Sequence, residues 1–113
     1  MSKKSPKPKE SKRLQAILKA IADPTRREVF SLLVMAASAL TISDIAIKFK
    51  ISRQAITRHI KVLESAELVK IKVQGRESCC EPIPQNLKYV NEWVNEYTHF
   101  WNNKLDKLGD FLS

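Results

Sequence analysis

Apolar positions recur along this chain with two different periods, and the change of period marks out its elements. Leu14, Ile17, Leu18 and Ile21 follow the i, i+3, i+4, i+7 spacing of a short amphipathic helix. Asp23-Pro24 ends that helix and starts a second one. The carboxylate can accept from the free amides of a new first turn, and proline suits the first helical position because it has no N–H to leave unpaired. The second helix buries Val29, Phe30, Leu32 and Leu33 and stops within Ala36–Ala39. Leu40-Thr41-Ile42 reads as brief and extended. Thr41 and Asp44 have the spacing of a capping box, so a third helix is predicted from about Ser43 to Phe49. After Lys50-Ile51, Ser52 is a good N-cap for a fourth helix over 53–66, with Ala55, Ile56, Ile60 and Leu63 on its buried side.

At Leu68 the period falls to two. Leu68 to Gln74 alternates apolar with polar, Gly75-Arg76 makes a turn, and Ser78 to Ile83 has the length of a paired strand. The result is a hairpin with its basic residues, Lys72 among them, on one side. Pro82 and Pro84 close the second strand and permit a last helix from about Gln85 to Leu112. Its apolar positions are Leu87, Val90, Val94, Tyr97, Trp101, Leu105, Leu108 and Leu112, with Trp93 and Phe100 beside them. The predicted fold is mainly α with a small β-hairpin wing: five helices in the order helix, helix, short extended segment, helix, helix, strand, strand, helix. A globular part of roughly 100 residues has too little core to cover so long an aromatic stripe. A homodimer supplies the missing partner helix, since two-fold dimers dominate oligomers.

Composition adds a partner to this outline. The chain has 113 residues, room for one domain, and a formal net charge of +8. The positive charge is local: residues 1–13 and residues 48–61 carry net +5 each, while residues 85–113 sum to −1. Two prolines and many lysines, with no apolar residue after Met1, predict that residues 1–13 form a disordered basic tail ahead of a folded domain over 14–113. That tail reads either as an arm reaching a minor groove or as a solubilising tether. No apolar run is long enough to span a bilayer, and no signal-peptide core follows the lysines, so the expected location is cytoplasmic, without membrane attachment. Cys79 and Cys80, as sequence neighbours, are poorly placed for an ordinary disulfide, which excludes a secreted disulfide scaffold.

Two helices joined by a short turn and followed by a basic hairpin make a winged helix-turn-helix. The polar face of the fourth helix carries Arg53, Gln54, Thr57, Arg58 and Lys61, and this is the chemistry a major groove demands. Arginine pairs bidentately with guanine, glutamine with adenine, and the threonine methyl meets the methyl of thymine. The chain has no Gly-rich phosphate loop, and no nucleophile is paired with an oriented base. It therefore reads as a double-stranded DNA binder and not an enzyme.

The stretches IADPTRREVFSLL, LTISDIAIKFKISRQAITRHIKVLESAELV and KIKVQGRESCCEPI resemble the ArsR family of winged-helix repressors, over about residues 14–112. The long aromatic ending EWVNEYTHFWNNKLDKL is most similar to its SdpR-like autorepressor branch, which has no metal site. The resemblance implies a dimeric, sequence-specific transcriptional repressor acting on an inverted-repeat operator, with no cofactor. It also implies a homodimer built from the first and last helices: Leu14, Ile17 and Leu18 with Leu87, Val90, Val94, Tyr97, Trp101, Leu105 and Leu108. Carried over by position, Ser52, Gln54, Thr57, Arg58 and His59 match the family's DNA-contacting helix, and Arg76 its wing tip, with residues 68–83 on the backbone or in the minor groove. The family usually has glycine where this chain has Lys50 and Glu67. If the left-handed backbone is kept there, each costs on the order of 1 kcal/mol. Metal-responsive members carry cysteines in the third helix or Asp/His sets in the last; residues 42–49 have no Cys or His, and residues 85–113 have only His99.

Other functions are compatible with parts of this pattern. The tail could dominate a non-specific architectural binding of DNA, with a steep salt dependence. The two cysteines could answer oxidants or soft metals, although strand neighbours face opposite ways and do not readily share one ion. The competing reading is one buried and one surface thiol. His59 could touch phosphate, titrate as a pH switch, or sit partly buried against backbone. Trp93, Phe100 and Trp101 could line a ligand cavity, though aromatics at helical spacing are more often packing.

Overall fold

The computed structural model describes residues 8–112, with side chains from residue 11 onward. Five α-helices and a small sheet follow the predicted order: α1 (Pro8–Ala22), α2 (Pro24–Ala36), β1 (Leu40–Thr41), α3 (Ile42–Phe49), α4 (Arg53–Ser65), β2 (Val69–Gln74), β3 (Glu77–Pro82) and α5 (Lys88–Leu112). A 3₁₀ turn over Pro84–Leu87 precedes α5, so the last α-helix begins three residues later than the periodicity suggests.

The local chemistry explains the boundaries. Asp23 caps α2 by accepting from the Arg26 amide at 2.8 Å. At α3 both halves of the capping box are formed: the Asp44 amide donates to Thr41 Oγ1 at 3.0 Å, and the Thr41 amide to the Asp44 carboxylate at 3.3 Å. Ser52 Oγ accepts from the Ala55 amide at 3.1 Å and starts α4. Caps of this kind each stabilise a helix by about 1 kcal/mol.

One core joins every element except the outer part of α5. Ile17 and Ala20 of α1, Val29, Phe30 and Leu33 of α2, Ile42 and Ile45 of α3, and Ile56, Ile60 and Leu63 of α4 are all buried, and Leu68, Val69 and Cys80 close the core from the sheet. Each fully buried aliphatic side chain contributes roughly 1.5–3 kcal/mol. The sheet is three-stranded and antiparallel in the order β1-β3-β2. Leu40 sits opposite Cys80 and Thr41 opposite Cys79, so the segment entering α3 is hydrogen-bonded to the hairpin. Within the hairpin, Val69 pairs with Pro82 and Gln74 with Glu77 around Gly75-Arg76.

Three expectations need correction. The first helix starts at Pro8, six residues before Leu14, so residues 8–13 of the expected disordered tail are helical; residues 1–7 of that tail lie outside the described residues. Proline suits a first helical position, and Arg13 is anchored to other elements, which offsets the ordering entropy. Ile17, assigned to the dimer interface, is 1 % exposed and belongs to the subunit's own core. Leu87 and Val90 are half-buried against that same core. The stripe on α5 thus begins as internal packing and becomes exposed only from Trp93 and Val94 outward.

Lys50 and Glu67 both adopt left-handed backbone, with φ of 57° and 59°, as the family comparison of glycines requires. The same closure explains both. The Ile51 amide reaches back to the Ala46 carbonyl (3.3 Å), and the Leu68 amide to the Leu63 carbonyl (2.9 Å). These are the six-to-one bonds of a Schellman ending, which forces the preceding residue to positive φ. Ala37, at φ 53° after α2, is a third such position that the pattern of residues did not flag. Lys50→Gly is expected to raise stability by about 0.5–1 kcal/mol, because it removes a Cβ from left-handed backbone without loss of a partner. Urea unfolding checks this; an unchanged or lower midpoint would contradict it.

Candidate nucleic-acid interface

The residues proposed to meet DNA come together on one surface. Burial of Ile56, Ile60 and Leu63 turns the opposite face of α4 outward, where Ser52, Arg53, Gln54, Arg58 and Lys61 are exposed and Thr57 is half-exposed. No carboxylate occurs from residue 45 to 63, so α4 itself brings none to this face before its last turn. Ser52, Arg53, Gln54, Thr57 and Arg58 line one shallow open concavity. Beside it a smaller hollow of about 130 Å³ lies between α4 and the wing. Arg53 and Thr57 line it from α4, Thr41, Ile42 and Ser43 from the start of α3, and Arg76, Glu77 and Ser78 from the wing tip. The hairpin therefore brings Arg76 to the first turn of α4, a proximity across more than 20 sequence positions that no local pattern reveals.

Some of these side chains are already engaged. Thr57 Oγ1 donates to the Arg53 carbonyl at 2.8 Å, which leaves the methyl as its uncommitted group. Lys72 pairs with Glu81 across the hairpin at 3.6 Å, so its charge is shared within the wing. Both partners are about half exposed, where such a pair stabilises by at most about 1 kcal/mol.

His59 is half-buried and faces α2, where Arg26 Nη1 lies 3.4 Å from its Nδ1. A guanidinium only donates, so a hydrogen bond between the two has Nδ1 as its acceptor. The same arginine donates Nε to the Ala20 carbonyl (2.6 Å) and Nη2 to the Lys19 carbonyl (3.2 Å), filling two of the free acceptors at the end of α1, while Arg27 takes the Ile21 carbonyl (2.7 Å). Sequence reasoning missed Arg26. The only signal was its place one turn into a helix announced by Asp23-Pro24.

The reverse side holds a second group of missed residues. Arg13 Nη1 donates to the Tyr89 hydroxyl at 2.5 Å and Nη2 lies 3.4 Å from the Glu67 carboxylate, while Asn86 Nδ2 donates to the Glu67 carbonyl at 2.6 Å. The strained residue after α4 is thus held through both its side chain and its backbone.

The cysteines separate as one buried and one half-exposed thiol. Cys80 is fully enclosed, and burial, with smaller effects of Cys79 and Glu64, pushes its thiol up to about 11. It is therefore protonated at neutral pH and a poor nucleophile. Cys79 Sγ lies 3.7 Å from Gln74 Oε1. Among the described residues no three His, Cys, Asp or Glu side chains gather as metal ligands.

The arrangement is that of a winged helix-turn-helix DNA-binding domain. Residues 21–72 match a family of helix-turn-helix domains. The chain is 31% identical over 81 residues to the arsenical resistance operon repressor of Staphylococcus xylosus, covering 72% of this chain and 76% of that one. It is 38% identical over 60 residues to the transcriptional repressor SdpR of Bacillus subtilis (strain 168), covering 53% of this chain and 64%, just under two thirds, of the repressor. A crystal structure of an ArsR family transcriptional regulator superposes with a TM-score of 0.73 at 29% identity, covering 81% of this chain and 93% of that chain. This chain belongs to the ArsR family of winged helix-turn-helix transcriptional regulators. The family and fold are those of DNA-binding regulators, not enzymes. Among the described residues no helix is long and apolar enough to cross a membrane.

Two titrations follow from this geometry. The hydrogen bond from the Arg26 amide holds the Asp23 carboxylate below its ordinary value of 3.8. A depressed folded value means that the stabilisation is complete above 3.8 and disappears as pH falls through the folded value. The stability difference between the wild type and Asp23→Asn, measured by urea unfolding, is expected to shrink steadily below pH 4; a gap independent of pH would refute the assignment. For the thiols, alkylation of the native protein at pH 8 is expected to modify Cys79 alone, with Cys80 reacting only after unfolding. Rapid modification of both would show that Cys80 is not enclosed in solution.

Proposed function

We propose that this protein is a dimeric, sequence-specific transcriptional repressor that places α4 of each subunit in successive major grooves of an inverted-repeat operator. The observation that carries the reading is the outward face of α4, acid-free and next to Arg76 of the wing. Among the described residues no side-chain hydrogen bond or ion pair of Arg53, Gln54, Arg58 or Lys61 would have to be broken on binding, and all four are exposed. In this reading Ser52 and His59 position the helix on phosphates. Arg76 follows the backbone or minor groove beside it. Lys72 contributes through the wing's field, its charge being shared with Glu81.

Dimerisation is supported by the outer part of α5. Val94, Tyr97, Trp101, Leu105 and Leu108 are between 44 and 61 % exposed and step by three or four residues along one side, and on α1 Leu18 is exposed and Leu14 half-buried. An apolar stripe of this length and aromatic content is unfavourable in water and is covered by its symmetry mate. Repression then follows from occupancy: a dimer on promoter DNA excludes the polymerase.

Footprinting on the DNA upstream of the protein's own coding sequence tests the whole reading. The expected footprint is a two-fold repeat with half-site centres about 34–36 Å, or one helical turn, apart. Equal affinity for unrelated DNA at physiological salt would overturn it. The Thr57 methyl gives a finer test. Replacing the operator thymine beside it by deoxyuridine should weaken the wild type by about fourfold, the worth of one buried methyl at about 0.8 kcal/mol. Thr57→Ser, which keeps the bond to the Arg53 carbonyl, should be indifferent to that replacement. A serine variant as sensitive as the wild type would remove Thr57 from base readout.

A further inference from the structure

Helix α1 is bound to the α4 unit by polar contacts at two well-separated places. Near its C-terminus, Arg26 of α2 holds the Lys19 and Ala20 carbonyls with two of its nitrogens and reaches His59, midway along α4, with a third. Toward its N-terminus, Arg13 reaches the Glu67 carboxylate, just past the end of α4, while it also donates to Tyr89 in the first turn of α5. The Arg13 guanidinium lies 5.4 Å from the centre of the Tyr89 ring, so one group touches α1, α5 and the exit of α4.

α1 and α4 also share the apolar core, to which α1 contributes Ile17 and Ala20 and α4 contributes Ile56, Ile60 and Leu63. Burial of this sort holds two helices together but is itself non-directional, and side-chain packing restricts the crossing angle only to a range. Hydrogen bonds and ion pairs are directional, and two of them at different heights leave one crossing angle. The Arg13–Glu67 pair is partly exposed, with side chains 38 % and 56 % accessible, so it does little for stability. What it can supply is a bias in the placement of the end of α4 relative to α1. Glu67 also accepts left-handed backbone at φ 59°, where a glycine would be relaxed but would have no carboxylate to offer Arg13.

We propose that Arg26 and the Arg13–Glu67 pair are positioning residues that lock the pitch of the recognition helix α4 to the dimerisation helices α1 and α5. Their role is to set the separation of two recognition helices on an inverted repeat, not to touch DNA. The consequence at DNA rests on the dimeric reading above; the mechanical coupling within one subunit does not.

The test uses Glu67→Gly and Arg26→Met in the full chain. Glu67→Gly removes the ion pair while relieving backbone strain, so it is expected to melt no lower than the wild type and a folding defect cannot be mistaken for lost positioning. Spin labels at Gln15→Cys on α1 and Glu64→Cys on α4, in a Cys79→Ser background and diluted with unlabelled protein, report the intramolecular distance without DNA. Both variants should broaden or shift that distribution. An unchanged narrow distribution overturns the proposal whatever happens at DNA. In parallel, affinity is measured for a full inverted repeat and for a single half-site. The expected result for Glu67→Gly, which touches no residue assigned to DNA, is a loss of about fivefold or more on the full repeat, with the half-site almost unchanged. Equal losses on both by Glu67→Gly would overturn the positioning role. A wild type with no preference for the full repeat would instead refute the dimeric operator reading, and the spin-label distances would still decide the coupling.

Discussion

Everything exposed for recognition depends on how the apolar stripe of α4 is buried. Ile56, Ile60 and Leu63 are fully enclosed by α1, α2, α3 and the base of the hairpin. Together these three side chains supply several kcal/mol of burial, more than any single polar contact in the domain. A rotation of α4 that brought Arg53 or Arg58 inward would have to expose them. The residues proposed to face DNA are thus oriented by buried side chains on the opposite side of the helix.

The polar contacts work at a smaller energetic scale and settle what burial leaves open. Capping by Asp23, Thr41 and Ser52 decides where each helix starts, and the Schellman endings at Lys50 and Glu67 decide the direction in which the chain leaves. Each is a matter of about 1 kcal/mol, yet together they fix the angle between α3 and α4 and the exit toward the wing. Cys80 belongs to this economy as a small buried side chain beneath the sheet, not as a reactive group.

The candidate site divides the same way. Arg53, Gln54, Thr57, Arg58 and Lys61 were legible because a 3.6-residue period places them on one face once the buried stripe is known. The roles of Arg26, Arg13, Tyr89 and Asn86 were not, because each depends on a partner far along the chain: 33 residues separate Arg26 from His59, and 76 separate Arg13 from Tyr89. His59 changes meaning for this reason. By spacing it belongs with the recognition face; in three dimensions its Nδ1 is turned to α2. The reverse error occurred at Ile17, which the amphipathic pattern puts on an apolar face without saying whether the subunit or a partner covers it.

Local chemistry alone was enough to define the element order, the caps, the wing and the charged face, since each arises from contacts within one or two helical turns or one hairpin. Even the two unusual left-handed residues, Lys50 and Glu67, could be located in advance by likeness to a family that has glycine there. Tertiary structure decided the rest: that β1 joins the hairpin as a third strand, that Arg76 comes to the start of α4, that α1 extends back to Pro8, and that only the outer part of α5 is left uncovered. These outcomes turn on which surfaces meet after the helices form. Periodicity identifies an apolar face, but packing chooses what it meets.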